Sequence, residues 1–234
     1  MIPIRDENPS RSFPVITILL IAVNIAVYAY QFFLGPDAQA FVVRFGAIPW
    51  EITHFRELPG LPPESVSMIP SVLTLFSSMF LHGGLLHLLG NMLYLWIFGD
   101  NVESLVGRFS FLVFYILCGL AAALTYVVFD PNSNVPMIGA SGAISGVLGA
   151  YMISFPSARI HVLVFLLFFI RIIRVPALIV LGFWFLMQLW NGFGSIGVKN
   201  AGGIAWFAHI GGFGFGILSI LLIPKKKYKN AAWW

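Results

Sequence analysis

Ser141 and His209 are the side chains in this sequence best suited to covalent chemistry, and both lie in apolar surroundings where a polar group needs a reason. Ser141 belongs to Pro136-Met137-Ile138-Gly139-Ala140-Ser141-Gly142-Ala143-Ile144-Ser145-Gly146, where a Pro/Asn-rich turn gives way to an apolar helix. The first N–H groups of a helix lack internal partners and its N-terminus carries partial positive charge, so an oxyanion formed beside the serine can be held there. Gly139 and Gly142 leave room for a substrate backbone. Small-residue patches also mark plain helix packing, and this stretch alone does not separate the two readings. His209 lies a turn or two into the last apolar run, beside Ala205, Ala208, Gly212 and Gly216. The Ser141 run has matching small stripes, Gly142/Gly146/Ala150 and Ser141/Ser145/Gly149, so the two helices are natural partners.

His87 and Asn91 are four residues apart and share one helix face. They are either an interhelical hydrogen-bonding pair or the lining of a site. No apolar run carries an Asp or Glu able to orient His209, so the chemistry on offer is that of a dyad rather than a triad. His209 would activate Ser141 as general base and then protonate the leaving amine. The Ser141 N–H, the Asn91 amide and the His87 imidazole would hold the tetrahedral oxyanion. Ser77, Ser78, His82, His87 and Asn91 form a series suited to conducting the water that hydrolysis consumes.

These groups must be positioned inside a membrane. Of 234 residues, 59% are hydrophobic and 9% charged, which excludes a soluble globular domain. Runs able to span lie at about 14–34, 84–99 extended back toward Leu73, 109–129, 137–156, 176–194 and 203–223. A seventh candidate, about 160–173, is short and interrupted by Arg171 and Arg174. With six spans and a cytoplasmic N-terminus, ten cationic residues face inward (Arg5, Arg11, Arg108, Arg159, Arg171, Arg174, Lys225, Lys226, Lys227, Lys229) and three outward (Arg44, Arg56, Lys199). That is a clear positive-inside bias, and a seventh span would invert the last segment. Six spans also bring Ser141 and His209 to similar depth. The expected fold is therefore an all-α, polytopic bundle of six transmembrane helices, with 158–174 as a cytoplasmic-side or interfacial loop.

The whole chain, 1–234, reads as one domain with a core of about 12–223 and a basic cytoplasmic tail at 224–234. The first residues read as an anchor's flank rather than a cleaved signal. The Pro-rich stretch 35–72 predicts a compact loop with short helices dipping into the membrane interface. The net charge of +4 comes mostly from the terminal Lys cluster and fits a membrane address better than nucleic acid. Cys118 reads as packing. His54 and His161 have no acid or Cys at ligand spacing, and neither a metal nor another cofactor is expected. Glu103 reads as a partner for backbone N–H groups or an Arg, and the cluster of Phe183, Trp184, Phe185 and Trp190 as lipid contact or helix packing.

Taken together, Gly139-Ala140-Ser141-Gly142, Ala208-His209-Ile210-Gly211-Gly212 and the H-x₄-H-x₃-N series of His82, His87 and Asn91 resemble the rhomboid intramembrane serine proteases over about residues 12–223. The resemblance implies cleavage of membrane-protein substrates, single-span or polytopic, near the outer end of a transmembrane segment in the lipid bilayer. It implies Ser141 as nucleophile, His209 as base, and Asn91 and His87 at the oxyanion, with His82, Gly139 and Gly142 in support. It also implies a partly membrane-embedded first loop, and gating by the fifth helix and the 130–138 and 192–203 loops. The expected address is a prokaryotic plasma membrane, with both termini cytoplasmic and the active site opening outward. Ser145 stands where members often carry an aromatic residue one turn after the serine, and Val72-Leu73 where many carry Trp-Arg. A non-catalytic relative that only binds clients would lack Ser141 or His209. A transporter would show paired repeats or intramembrane charges, and this sequence has neither.

Overall fold

A computed structural model describes residues 2–166, 169–196 and 205–224. The chain runs β1 (Ile2–Asp6), α1 (Val15–Phe33), α2 (Ala38–Phe45), α3 (Pro49–His54), α4 (Thr74–Ser77), α5 (Leu85–Val106), α6 (Arg108–Phe129), α7 (Ser141–Ser154), β2 (Arg159–Leu166), β3 (Phe169–Pro176), α8 (Ala177–Gly194) and α9 (Trp206–Leu222). The helices coincide with the six apolar runs, and the core of the fold is helical as expected.

The first helix is inside-out relative to a helix of a soluble protein. On α1 the buried residues are Thr17, Leu20, Asn24 and Gln31, whereas Leu19, Val23, Ile25 and Tyr30 are exposed. A helix that hides its polar stripe and presents its apolar one is built for lipid. Two of the three buried polar side chains on α1 bind other parts of the chain, and Asn24 Nδ2 donates back to Leu20 O. The Glu103 carboxylate accepts from the N–H groups of Ile16 (3.0 Å) and Thr17 (2.8 Å) and from the Thr17 hydroxyl (2.9 Å), placing an anion at the start of α1. At the other end, the Gln31 side chain donates to His82 O and accepts from His82 N. Glu103 thus has the structural role expected of it, but toward α1 rather than its own turn.

Against the six spans expected, three helices among the described residues, α1, α6 and α8, are long and apolar enough to cross a membrane, or four if the bent pair Ser71–Phe80 and Leu85–Val106 counts as one span, because α7 and α9 are too short. The expected continuous extension of α5 toward Leu73 is not found. The chain breaks at Leu81 to Gly84 and bends by 79°, because Gly83-Gly84 favours no helix and the Gln31 amide takes up the freed backbone groups of His82. α7 and α9 are shorter apolar helices. α7 is buried at every position from Gly142 to Tyr151, so its neighbours are protein on all sides. The molecule is an integral membrane protein with several membrane-spanning helices.

The 35–72 stretch is compact and carries short helices, as its proline content suggested. The 158–174 segment is not a loop. It forms the antiparallel hairpin β2–β3, with Ile160 opposite Val175 and Leu163 opposite Ile172, and β1 pairs with the other edge of β2. Their many β-branched residues favour strands, and Ile160 and Val162 join the apolar core. The Tyr151 hydroxyl donates to Asp6 Oδ2 (2.5 Å), tying the sheet to the end of α7. His161 also finds an acid that spacing did not suggest. Glu7 Oε1 lies 2.8 Å from His161 Nε2 and 3.1 Å from Arg174 Nε, and the hydrogen bond from His161, followed by the Arg174 charge, holds the Glu7 carboxyl below its ordinary range despite partial desolvation. Cys118 is buried and unpaired. Lys199, most of the 192–203 loop and the Lys225–Lys229 tail lie outside the described residues.

Candidate active site

The α6–α7 connection sets where Ser141 stands. Ala47 and Met137 exchange two backbone hydrogen bonds, and Gly139 N donates to Ser78 O (2.9 Å), so the turn is fastened to the first loop and to the segment before α5. Gly139 has φ +116°, and a Cβ there would come within 2.8 Å of the His87 ring. Only glycine fits both constraints. Two residues later Ser141 opens α7, with its N–H among those left free by the helix start. The Ser145 hydroxyl bonds back to Ser141 O (2.6 Å) and is itself buried, so it packs the first turn rather than covering the imidazole.

α9 lies against α7 over the most extensive contact between any two elements. A Cβ on Gly212 would collide with Gly142 O, and one on Gly216 with Gly146 O. The small stripes expected to pair do so, backbone on backbone. The result is a hydrogen bond of 2.8 Å between Ser141 Oγ and His209 Nε2.

The other ring nitrogen, Nδ1, lies 2.8 Å from Oε1 of Gln188 on α8. Trp184, one turn earlier, and Trp206 flank the imidazole at ring-centroid distances of 5.9 and 6.4 Å. The sequence does not announce this arrangement: no carboxylate in the apolar runs is available to His209, and Trp184 reads there as lipid contact or helix packing. Phe183 and Trp190 do face outward, but Trp184 faces the site. The available signal was the phase of α8: Leu181, Gln188 and Gly192 are buried on one stripe, with Trp184 between them.

Ser141 and His209 open into a cavity of about 670 Å³ whose wall includes His87, Asn91, Trp184 and Gln188. Asn91 Nδ2 lies 3.0 Å from His82 Nε2 and spends one N–H there, leaving the amide a second donor. His82 is buried behind Asn91 and edge-on to His87. It is outside the cavity wall, as are Ser77 and Ser78, so the expected polar water series reaches the cavity only through His87 and Asn91. Gly142 touches the cavity but is also pressed against α6 and α9. Among the described residues no group of three or more His, Cys, Asp or Glu is placed to hold a metal ion.

Residues 70–226, which include Ser141, His209, His87, Asn91 and Gln188, match the model of the Rhomboid domain. The chain is 32% identical to "Rhomboid protein 1, mitochondrial" of Saccharomyces cerevisiae over 69% of its own length and 45% of that protein's. It is 33% identical to "Rhomboid protease GluP" of Bacillus subtilis, over 64% of this chain and 26% of that one. It is 30% identical to "Rhomboid protease AarA" of Providencia stuartii, over 59% and 50% respectively. The chain thus spans half or less of the length of these curated relatives. With a family model covering more than half of its residues, this chain belongs to the rhomboid family of intramembrane proteins.

Proposed function

We propose that this protein is an intramembrane serine endopeptidase that hydrolyses peptide bonds in or near transmembrane segments of other membrane proteins. The observation that carries the reading is the 2.8 Å contact between Ser141 Oγ and His209 Nε2 in the wall of a cavity. His209 Nε2 takes the Ser141 proton as Oγ attacks the scissile carbonyl carbon. The tetrahedral oxyanion is held by the Ser141 N–H, the free Asn91 amide hydrogen and the His87 imidazole, and Gly139 lets the backbone approach them. The imidazolium then protonates the leaving amine, which departs as the new N-terminus. Water, deprotonated by the same Nε2, attacks the acyl carbon and releases the acid product, returning the proton to Ser141. Two of the relatives carry the name protease, which supports the same chemistry here.

In this reading all six apolar helices cross the bilayer. α7 is only about 21 Å long at 1.5 Å per residue, against a hydrocarbon core of about 30 Å. A helix surrounded by protein need not match that thickness, and its short span starts Ser141 below the outer surface. The cationic bias places both termini in the cytoplasm and the cavity mouth outward, with the 35–72 loop partly in the outer leaflet and the address a prokaryotic plasma membrane. A carbonyl in an intact helix is hidden, so substrates are segments that unwind near their outer end.

A serine-directed fluorophosphonate tests the chemistry. Wild type is expected to be labelled at Ser141, and the His209→Ala protein about 100-fold or more slower, the usual scale of general-base assistance. Equal labelling rates in both would remove His209 from the reaction.

A further inference from the structure

The chemistry of Ser141 requires one tautomer of His209. Nε2 must present its lone pair to the serine, so the ring proton must reside on Nδ1. In a triad a buried carboxylate fixes this; here the group at Nδ1 is the Gln188 amide, 2.8 Å away. An amide can face a ring nitrogen with either its oxygen or its NH₂, and these select opposite tautomers. The choice is settled by the second contact of Gln188. Its Nε2 lies 3.3 Å from Trp184 O, and a carbonyl oxygen can only accept. The NH₂ is therefore turned toward Trp184 and Oε1 toward His209, where it accepts from Nδ1–H.

The surroundings make this a dedicated arrangement. Gln188 is 5% exposed and sits on the single inward stripe of a helix whose other faces are apolar and exposed. The aromatic residue that would sit one turn after the serine is replaced by Ser145, whose hydroxyl is bonded to Ser141 O and which has no ring to lay on the imidazole. Orientation of the imidazole thus falls to Gln188, with Trp184 and Trp206 at its flanks.

We propose that Gln188 is the positioning residue of the Ser141–His209 pair: its amide oxygen holds the proton of His209 on Nδ1 and aims Nε2 at the serine. The assignment rests on the proteolytic reading above, but one arm of its test does not depend on cleavage. Gln188→Leu, similar in size and without an acceptor, is expected to lower kcat by about 10–100-fold, a part of what general-base assistance contributes, with KM changed by less than about threefold. That is short of the roughly 10⁴-fold loss seen when a triad carboxylate is replaced so as to impose the wrong tautomer. Gln188→Glu keeps an oxygen at the same reach and is expected to recover at least about tenfold over the Leu variant. The ¹⁵N resonances of the His209 ring, identified by their absence from the His209→Ala protein, should report Nδ1–H in wild type and a shift toward Nε2–H in Gln188→Leu. Wild-type kcat in the Leu variant with an unchanged tautomer would overturn the proposal. So would an equal loss in the Leu and Glu variants with the tautomer unmoved, which would make Gln188 a packing residue. A tautomer shift in a protein that cleaves nothing would support Gln188 and place the fault in the proteolytic reading instead.

Discussion

Two helix contacts converge on His209, and they are built in opposite ways. α7 and α9 meet backbone on backbone: Gly212 faces Gly142 O and Gly216 faces Gly146 O, with no side chain between them. α8 reaches the same imidazole through side chains alone, Gln188 and Trp184, and buries only Ala177, Leu181, Gln188 and Gly192 along its length. Backbone contact leaves few degrees of freedom, so the separation of serine and histidine is a property of the fold. A contact made by side chains on a largely lipid-facing helix is replaceable and adjustable. Ser141 and His209 are thus fixed relative to each other, while the Gln188 contact to the imidazole comes from the least buried helix around the cavity.

That contrast can be broken by adding one methyl group on each side of it. Gly212→Ala puts a Cβ onto Gly142 O, where neither backbone can yield without separating Ser141 from His209. The expected outcome is loss of nearly all cleavage and a stability cost of about 1–3 kcal/mol, read as a lower melting temperature in detergent. Asn91→Ala, on the α5 wall, should leave melting almost unchanged and lower kcat by about 10²–10³, the usual cost of one oxyanion donor. It should cost less than loss of the serine, because His87 and the backbone N–H remain. Unchanged kcat would make Asn91 a structural partner of His82 alone. Gly182→Ala, on α8, meets nothing within 4 Å and should change neither melting nor cleavage appreciably. If the Gly212 and Gly182 variants behaved alike, the distinction between a fixed and an adjustable contact would fail.

The fixed half of the site was legible in the sequence and the adjustable half was not. Ser141, His209, His87 and Asn91 stand out because polar residues in apolar runs are few, and small-residue stripes at helical spacing announce a close helix pair. Gln188 sits in an equally apolar run, but an amide has no chemical signature of its own, whereas the usual partner of a catalytic imidazole is an Asp or Glu. The helix positions were likewise legible from hydropathy. The sheet was not, because β2 and β3 carry apolar residues on both faces, which hides the alternation of a strand, and β1 pairs with a segment remote in sequence. The break before α5 had a local sign in Gly83-Gly84, but it is completed by Gln31 from another helix, a contact that no local pattern encodes.

The central claim is that Ser141 is the nucleophile of a peptide-bond hydrolysis. Wild-type and Ser141→Ala proteins, purified from a host lacking related proteases, should be incubated with a single-span substrate whose outer transmembrane end is weakened by Gly or Ser, and the cut sites mapped by mass spectrometry. Wild type should cleave at one bond near that end and Ser141→Ala at none, with its melting near wild type because only one hydroxyl is lost. Cleavage of the same bond by Ser141→Ala would contradict the claim.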